Sequence, residues 1–179
     1  MNSDFYTNNR LLIAFASALV VLIHLLFEYF HGGVVTHYFM QEGSLPGISN
    51  WWGLISFPVL VWIVLLRIEK RKRSSSQKIE QSSTILYRLF SGILFGVVVS
   101  YLFSIESNIL DYLMLGLFGL SIFIPLYYGE YLVGFTLGTM YVFGANIPII
   151  GGLVLLFILF ALNRLPRFIY SFVQSKIRR

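Results

Sequence analysis

The chain has 179 residues, of which 57% are hydrophobic and only 12% are charged, with a formal net charge of +5 and no cysteine. Together with a mean hydropathy of +0.77, this composition is outside the range of soluble globular domains and indicates an integral membrane protein. The lack of cysteine excludes disulfides, thiolate metal sites, iron–sulfur clusters and thiol catalysis, which leaves imidazole and oxygen groups as possible ligands.

The first apolar segment covers residues 11–30 and follows a single basic residue, Arg10. Its length meets the roughly 20 residues that a helix needs to cross the hydrocarbon core of a bilayer. The only triplet that resembles a signal-peptidase site, Ala16-Ser17-Ala18, lies inside the segment and not after it. We therefore expect an uncleaved first span.

Further apolar segments follow in chain order, at residues 51–68, 85–105, 109–128, 131–145 and 147–162. Each comes near the length of a transmembrane helix, although the last two are short. Pro58 and Pro125 fall inside the second and fourth segments, where proline usually bends a helix. The pattern predicts one domain over residues 1–179, an all-α polytopic transmembrane bundle of six spans. Four spans with a re-entrant pair are the alternative.

The basic residues support an even number of spans. If both termini are cytoplasmic, all thirteen Lys and Arg residues lie on that side, as the positive-inside rule requires. Arg10 precedes the first span. The other basic residues lie in or beside the loop 69–84 and in the tail 164–179. We expect the tail to lie on anionic lipid. These signals predict a protein of a bacterial plasma (inner) membrane. Its expected partner is the lipid bilayer, and no nucleic acid is expected to bind.

The stretch HLLFEYFHGGVVTH, at residues 24–37, holds all three histidines of the chain together with Glu28. Helical steps of about 100° place His24, Glu28 and His31 within roughly 60° of one another, so they form one polar stripe. Under the predicted topology this stripe lies in the outer half of the membrane. An ionisable group at such depth costs about 3 kcal/mol on insertion scales, so it should face the bundle interior.

The stripe has three interpretations. His24, Glu28 and His31, joined by Asp111, can relay a proton or a cation. The first three can instead bind a divalent metal such as zinc, because imidazole and carboxylate are suitable ligands. In the third interpretation His24 and Glu28 form a structural hydrogen-bonded pair. Other residues expected to line a cavity on the same side are His37, Asn50 and Trp51.

Three functions are compatible with this pattern. The first is a small transporter or permease with an outward-facing His/Glu site for a proton or cation. The second is a membrane-embedded metal-dependent enzyme that acts on a lipid or small substrate at the outer leaflet. The third is an assembly subunit without chemistry of its own. Walker A, G-x-S-x-G and H-E-x-x-H motifs are absent from the sequence.

Two glycine pairs have the spacing that allows helix backbones to approach closely in lipid. They are Gly92 with Gly96 in the third segment and Gly134 with Gly138 in the fifth. Either pair is a candidate contact for a homo-oligomer.

Overall fold

The computed structural model describes residues 9–37, 47–74 and 82–177. Two short strands, β1 (Thr36–His37) and β2 (Ile48–Ser49), form an antiparallel ladder, and a 3-10 turn covers Asn50–Trp52. The rest of the described chain is largely helical. Its α-helices are α1 (Arg10–Phe30), α2 (Gly53–Ser74), α3 (Ser82–Ser104), α4 (Ile109–Phe123), α5 (Gly129–Phe143) and α6 (Asn146–Ile177).

Each predicted apolar segment corresponds to one of these helices, and the all-α class is confirmed. Helices α1, α2, α3 and α6 are long and apolar enough to cross a membrane. Helices α4 and α5 have 15 residues each. A helix of that length rises about 22 Å, which is less than the roughly 30 Å of a hydrocarbon core.

Several predicted boundaries differ from the observed ones. Helix α2 continues past residue 68 to Ser74, so the predicted loop 69–84 begins as helix. Helix α4 ends at Phe123 and not at residue 128, so Pro125 follows the helix and does not bend it. Proline disfavours the helical conformation of the preceding residue, and Ile124 is extended, with φ −110° and ψ 132°. Helix α6 continues past residue 162 and through Pro166 to Ile177. The described part of the basic tail therefore extends α6.

Contacts between helix ends show that α1 and α2 are antiparallel. Arg10, at the start of α1, pairs with Glu69 near the end of α2 at 2.9 Å. Glu28, near the end of α1, accepts a hydrogen bond from Asn50, just before α2. Later helices alternate in the same way, because short connections join them end to end. We call the end of the bundle with Arg10 the basic end and the end with Glu28 the opposite end.

The buried core lies mainly where α1, α2 and α5 meet, and Val21, Leu25 and Phe57 are each about 1% exposed. Many large apolar side chains face outward instead. Phe15 is 65% exposed and Phe157 is 72% exposed. A protein in water seldom leaves so much contiguous apolar surface uncovered. The outward faces are therefore suited to contact lipid, which supports the membrane assignment.

The two glycine pairs face each other within the chain, where α3 packs against α5. A methyl group on Gly134 would collide with the backbone of α3 at Leu89, and one on Gly96 would lie 2.6 Å from the Phe135 carbonyl oxygen. Gly92 and Gly138 are equally closed in by the partner helix. These surfaces are occupied in the single chain, so an oligomer formed through them would have to replace the α3–α5 contact.

A buried asparagine compensates for the early end of α4. Pro125 has no N–H group, so it cannot donate to the Ser121 carbonyl four residues earlier. Asn163 of α6, which is 0% exposed, donates from Nδ2 to that carbonyl at 2.7 Å and to the Ile122 carbonyl at 3.3 Å. Arg167 adds a 3.4 Å contact to the Phe123 carbonyl. These bonds join α4 to α6 at the basic end.

Replacing Asn163 with Leu, which has a similar volume, is expected to lower the free energy of unfolding by about 1 to 3 kcal/mol, because two carbonyls lose their donor away from water. Thermal unfolding of the purified chain in detergent measures the change. Asn108→Leu is the matched control, since Asn108 is exposed and makes no side-chain capping bond to α4. Equal midpoints for the two variants would contradict the capping role.

Candidate functional site

The opposite end of the bundle contains the polar stripe that the sequence predicts. Helix α1 ends at Phe30, and the chain turns through Gly32 and Gly33, both with positive φ. The short β1–β2 ladder then returns the chain to α1, where Asn50 begins the 3-10 turn. This return places a residue 22 positions away in sequence beside Glu28.

Glu28 is the centre of the contacts at this end. Its Oε1 accepts a 2.7 Å hydrogen bond from Asn50 Nδ2, and its Oε2 lies 3.3 Å from the Val35 backbone nitrogen, which donates to it. His24 Nε2 approaches Oε1 to 3.2 Å, within ion-pair distance but without hydrogen-bond alignment. The side chains of His24 and Glu28 are 12% and 11% exposed. The carboxylate is thus held mainly by neutral donors, beside the imidazole of His24.

The Asn50 side chain is positioned by tight packing from the end of α5. Gly144 has φ +66°, and a methyl group there would overlap the Asn50 carboxamide. A second buried amide, Asn146, donates to the Ser49 carbonyl at 3.2 Å and accepts from Ser56 Oγ at 2.7 Å. Through these contacts, α2, α5 and α6 support the group that holds Glu28.

Among the other predicted site residues that the structure describes, His31, Asp111 and Trp51 do not join this cluster. His31 Nδ1 lies 2.8 Å from the Phe27 carbonyl oxygen, and its ring stacks on Phe27 with centroids 4.1 Å apart. Asp111 is exposed and lines a separate depression together with Glu106. Trp51 is 49% exposed. The backbone of His37 belongs to β1, but its side chain lies outside the described structure.

These positions bear on the metal hypothesis. Among the described residues, no three His, Asp or Glu side chains are grouped so that they could hold a metal ion. His24 and Glu28 are close enough to share an ion, but the contact of His31 with the backbone of its own helix directs it elsewhere. The three-ligand set of His24, Glu28 and His31 is therefore not assembled, and Asp111, predicted for the ion relay, lies apart from it.

The basic end holds a more deeply buried cluster that sequence reasoning did not identify as a site. Glu130, at the start of α5, is 2% exposed. It pairs with Arg71 of α2 and lies 3.5 Å from Arg88 Nη1 of α3. The two guanidinium groups also lie over the ring of Tyr128, at 4.8 Å and 3.7 Å from its centroid. One carboxylate and one aromatic ring thus fix two cations from different helices.

A second ionic group joins α1 and α2 at the same end. Glu69, 9% exposed, pairs with Arg10 at 2.9 Å and with Arg73 one helical turn further along α2. The Arg10 guanidinium also lies 5.8 Å from the centroid of the Trp62 ring. Arg10 and Arg73 are therefore ion-pair partners of Glu69 that join the two helices, in addition to any role in membrane topology.

The two ends differ in the chemistry they allow. Around Glu130 the carboxylate is neutralised by guanidinium groups, which stay protonated at any ordinary pH. Around Glu28 the described partners are an amide, a backbone N–H and an imidazole, so a proton or a cation can balance its charge. Glu28 is therefore the better candidate for reversible ion binding.

No protein-family model, curated protein or solved structure matches the chain.

Proposed function

We propose that this protein is a small six-span transporter or permease whose His24–Glu28–Asn50 cluster binds a proton or cation from the outer side. The observation that carries the proposal is the environment of the Glu28 carboxylate, which is mostly buried, hydrogen-bonded by Asn50 and 3.2 Å from a histidine nitrogen. Ionisable groups at membrane depth that lack a permanent counter-charge typically mark ion or proton pathways.

Crossing by α4 and α5 is part of this proposal. The connections on either side of them are short, so each helix leads from one end of the bundle towards the other. Residues 124–128 follow α4 without helical structure, and Ile124 and Tyr128 are extended, so the chain continues beyond the 15 helical residues before α5 begins. Helix α5 has a largely buried surface, with buried residues from Glu130 to Met140, so its short length is shielded from lipid.

Orientation follows from charge. The basic end carries Arg10, Arg71 and Arg88, and cytoplasmic ends of spans collect such residues. We place both termini and the basic end in the cytoplasm, in a plasma membrane of bacterial type. Glu28 then lies near the outer surface, about 27 Å along α1 from Arg10 at 1.5 Å per residue.

Ion movement in proteoliposomes tests the function. With a K⁺ diffusion potential imposed by valinomycin, an internal pH-sensitive dye reports proton entry and ²²Na⁺ uptake reports cation entry. Vesicles that contain the wild-type chain are expected to take up one of the two ions faster than protein-free vesicles do. Glu28→Gln is expected to lower that uptake rate by about tenfold or more, because a neutral amide lacks the negative charge that binds a proton or cation.

Glu106→Gln and Asp111→Asn provide the controls, since both carboxylates lie at the same end of the bundle but outside the Glu28 cluster. They should retain rates within about twofold of wild type, which corresponds to about 0.4 kcal/mol, against about 1.4 kcal/mol for a tenfold loss. Wild-type rates in Glu28→Gln, or no flux of either ion above protein-free vesicles, would contradict the proposal.

A further inference from the structure

A groove with apolar walls lies between α4 and the helices α3, α5 and α6, beside the contact that joins α4 to α6. It consists of two cavities of about 190 and 380 Å³ that share Phe135, Gly152 and Leu155 as lining residues. Each is several times the roughly 30 Å³ that one water molecule takes up in the liquid, but apolar walls offer water few hydrogen-bond partners. The groove is therefore suited to a flexible hydrocarbon chain.

The groove approaches the Glu130 cluster at the basic end. Ser91 and Gly92 line it, and they follow Arg88 by three and four residues, which places Arg88 on the same face of α3 one turn nearer the basic end. Tyr131 also lines the groove, and its side chain is a hydrogen-bond partner of Arg88. A guanidinium group thus lies one helical turn beyond the apolar walls.

The charges at this position favour an anion. Arg71 and Arg88 share Glu130, so these three side chains carry a formal net charge of +1. The side chains of Arg71 and Arg88 are 28% and 15% exposed, so neither is fully enclosed by the protein. Tyr128 and Glu130 hold both groups in place. Planar guanidinium donors of fixed orientation match the oxygens of a phosphate.

Glu130 has one hydrogen-bond acceptor that the described residues leave unused, although Glu130 lines neither cavity. Its Oε2 atom is fully buried and accepts no hydrogen bond from the described residues. A buried carboxylate oxygen without a donor is costly, and a ligand hydroxyl can supply that donor. A glycerol headgroup carries such hydroxyls beside its phosphate, whereas a choline headgroup carries none.

We propose that this site binds an anionic glycerophospholipid of the phosphatidylglycerol type. Its phosphate contacts Arg88 and Arg71, a headgroup hydroxyl donates to Glu130, and one acyl chain occupies the groove beside α4. Basic pockets between transmembrane helices at the cytoplasmic side are known to bind anionic headgroups. The continuity of charge and groove favours a lipid over a soluble phosphate. The site is separate from the Glu28 cluster, so either can exist without the other.

Native mass spectrometry of the full-length chain in detergent tests the site, with dioleoyl-phosphatidylglycerol and dioleoyl-phosphatidylcholine as probes. We expect the wild-type chain to bind one phosphatidylglycerol at least about tenfold more tightly than phosphatidylcholine, which corresponds to 1.4 kcal/mol. Arg88→Gln should remove this preference. Leu117→Trp, which fills the groove without altering a charge, should weaken the binding of both lipids.

Arg164→Gln is the matched control, because Arg164 is an exposed basic residue at the same end, with its guanidinium beside Phe160. It should keep the wild-type preference, and a single symmetrical peak in size exclusion shows that each variant is folded. Equal binding of the two lipids by the wild-type chain would overturn the proposal. So would unchanged binding in Leu117→Trp together with displacement by inorganic phosphate, which would identify a soluble-anion site.

Discussion

Gly134→Ala is expected to lower the free energy of unfolding by about 3 kcal/mol or more, because the added methyl group meets backbone and not a movable side chain. It would collide with the Leu89 carbonyl oxygen and lie 2.8 Å from the Ile93 backbone nitrogen. Helices α3 and α5 would have to separate along the whole glycine contact, which includes Gly92 and Gly138. Overpacking against side chains alone costs about 1 to 3 kcal/mol.

Gly119→Ala supplies a matched control in another apolar helix. A methyl group on Gly119 of α4 has no neighbour within 4 Å, and alanine favours helix formation by up to about 1 kcal/mol relative to glycine. Denaturant titration of the purified chains in detergent, followed by circular dichroism, compares the two variants. If Gly134→Ala unfolds at the same denaturant concentration as Gly119→Ala, the backbones of α3 and α5 are not in close contact at Gly134.

The helices could be predicted from the sequence because apolar length is a local property. Their exact ends depend on contacts that are not local. Pro125 indicated a bend, but the helix ends before it, and Asn163, far away in sequence, supplies the donors that make this end possible. The spacing of the glycine pairs predicted close backbone approach, but spacing alone does not tell whether the partner is another helix or another chain.

The candidate sites show the same limit. Helical periodicity placed His24 beside Glu28, and both lie together in the structure. It also grouped His31 with them, but periodicity gives only the direction of a side chain and not its partner, and His31 contacts its own backbone. Asn50, which was expected to line a cavity on the same side, bonds to Glu28 because the chain returns to α1 after its turn.

Glu130 is absent from the site residues that the sequence predicts. Its basic partners were explained as topology signals, which hid their second function as ion-pair partners. One signal was present: Glu130 is an isolated acidic residue between two apolar segments, on the side predicted to hold Arg71 and Arg88. An acidic group so near the membrane needs a partner, and these cations are the ones that meet it.

Glu130→Gln is expected to destabilise the protein by about 3 kcal/mol, because it leaves two guanidinium groups close together without their shared carboxylate. Removing one partner of a buried ion pair typically costs about 3 to 5 kcal/mol. We expect the lower part of that range, since the Arg71 side chain is 28% exposed and can turn towards solvent. Thermal unfolding in detergent measures the effect, with exposed Glu106→Gln as the control.

A double variant separates charge from packing. If repulsion between the two guanidinium groups causes the loss, Glu130→Gln combined with Arg88→Gln should recover about 1 kcal/mol or more of it, since contacting residues in one ionic network show coupling of 0.5 to 3 kcal/mol. The same Arg88 change combined with Glu106→Gln should show no coupling. Additive losses in the first pair would mean that Glu130 stabilises the helix contact by its shape alone, and that its charge does not hold the ends of α2, α3 and α5 together.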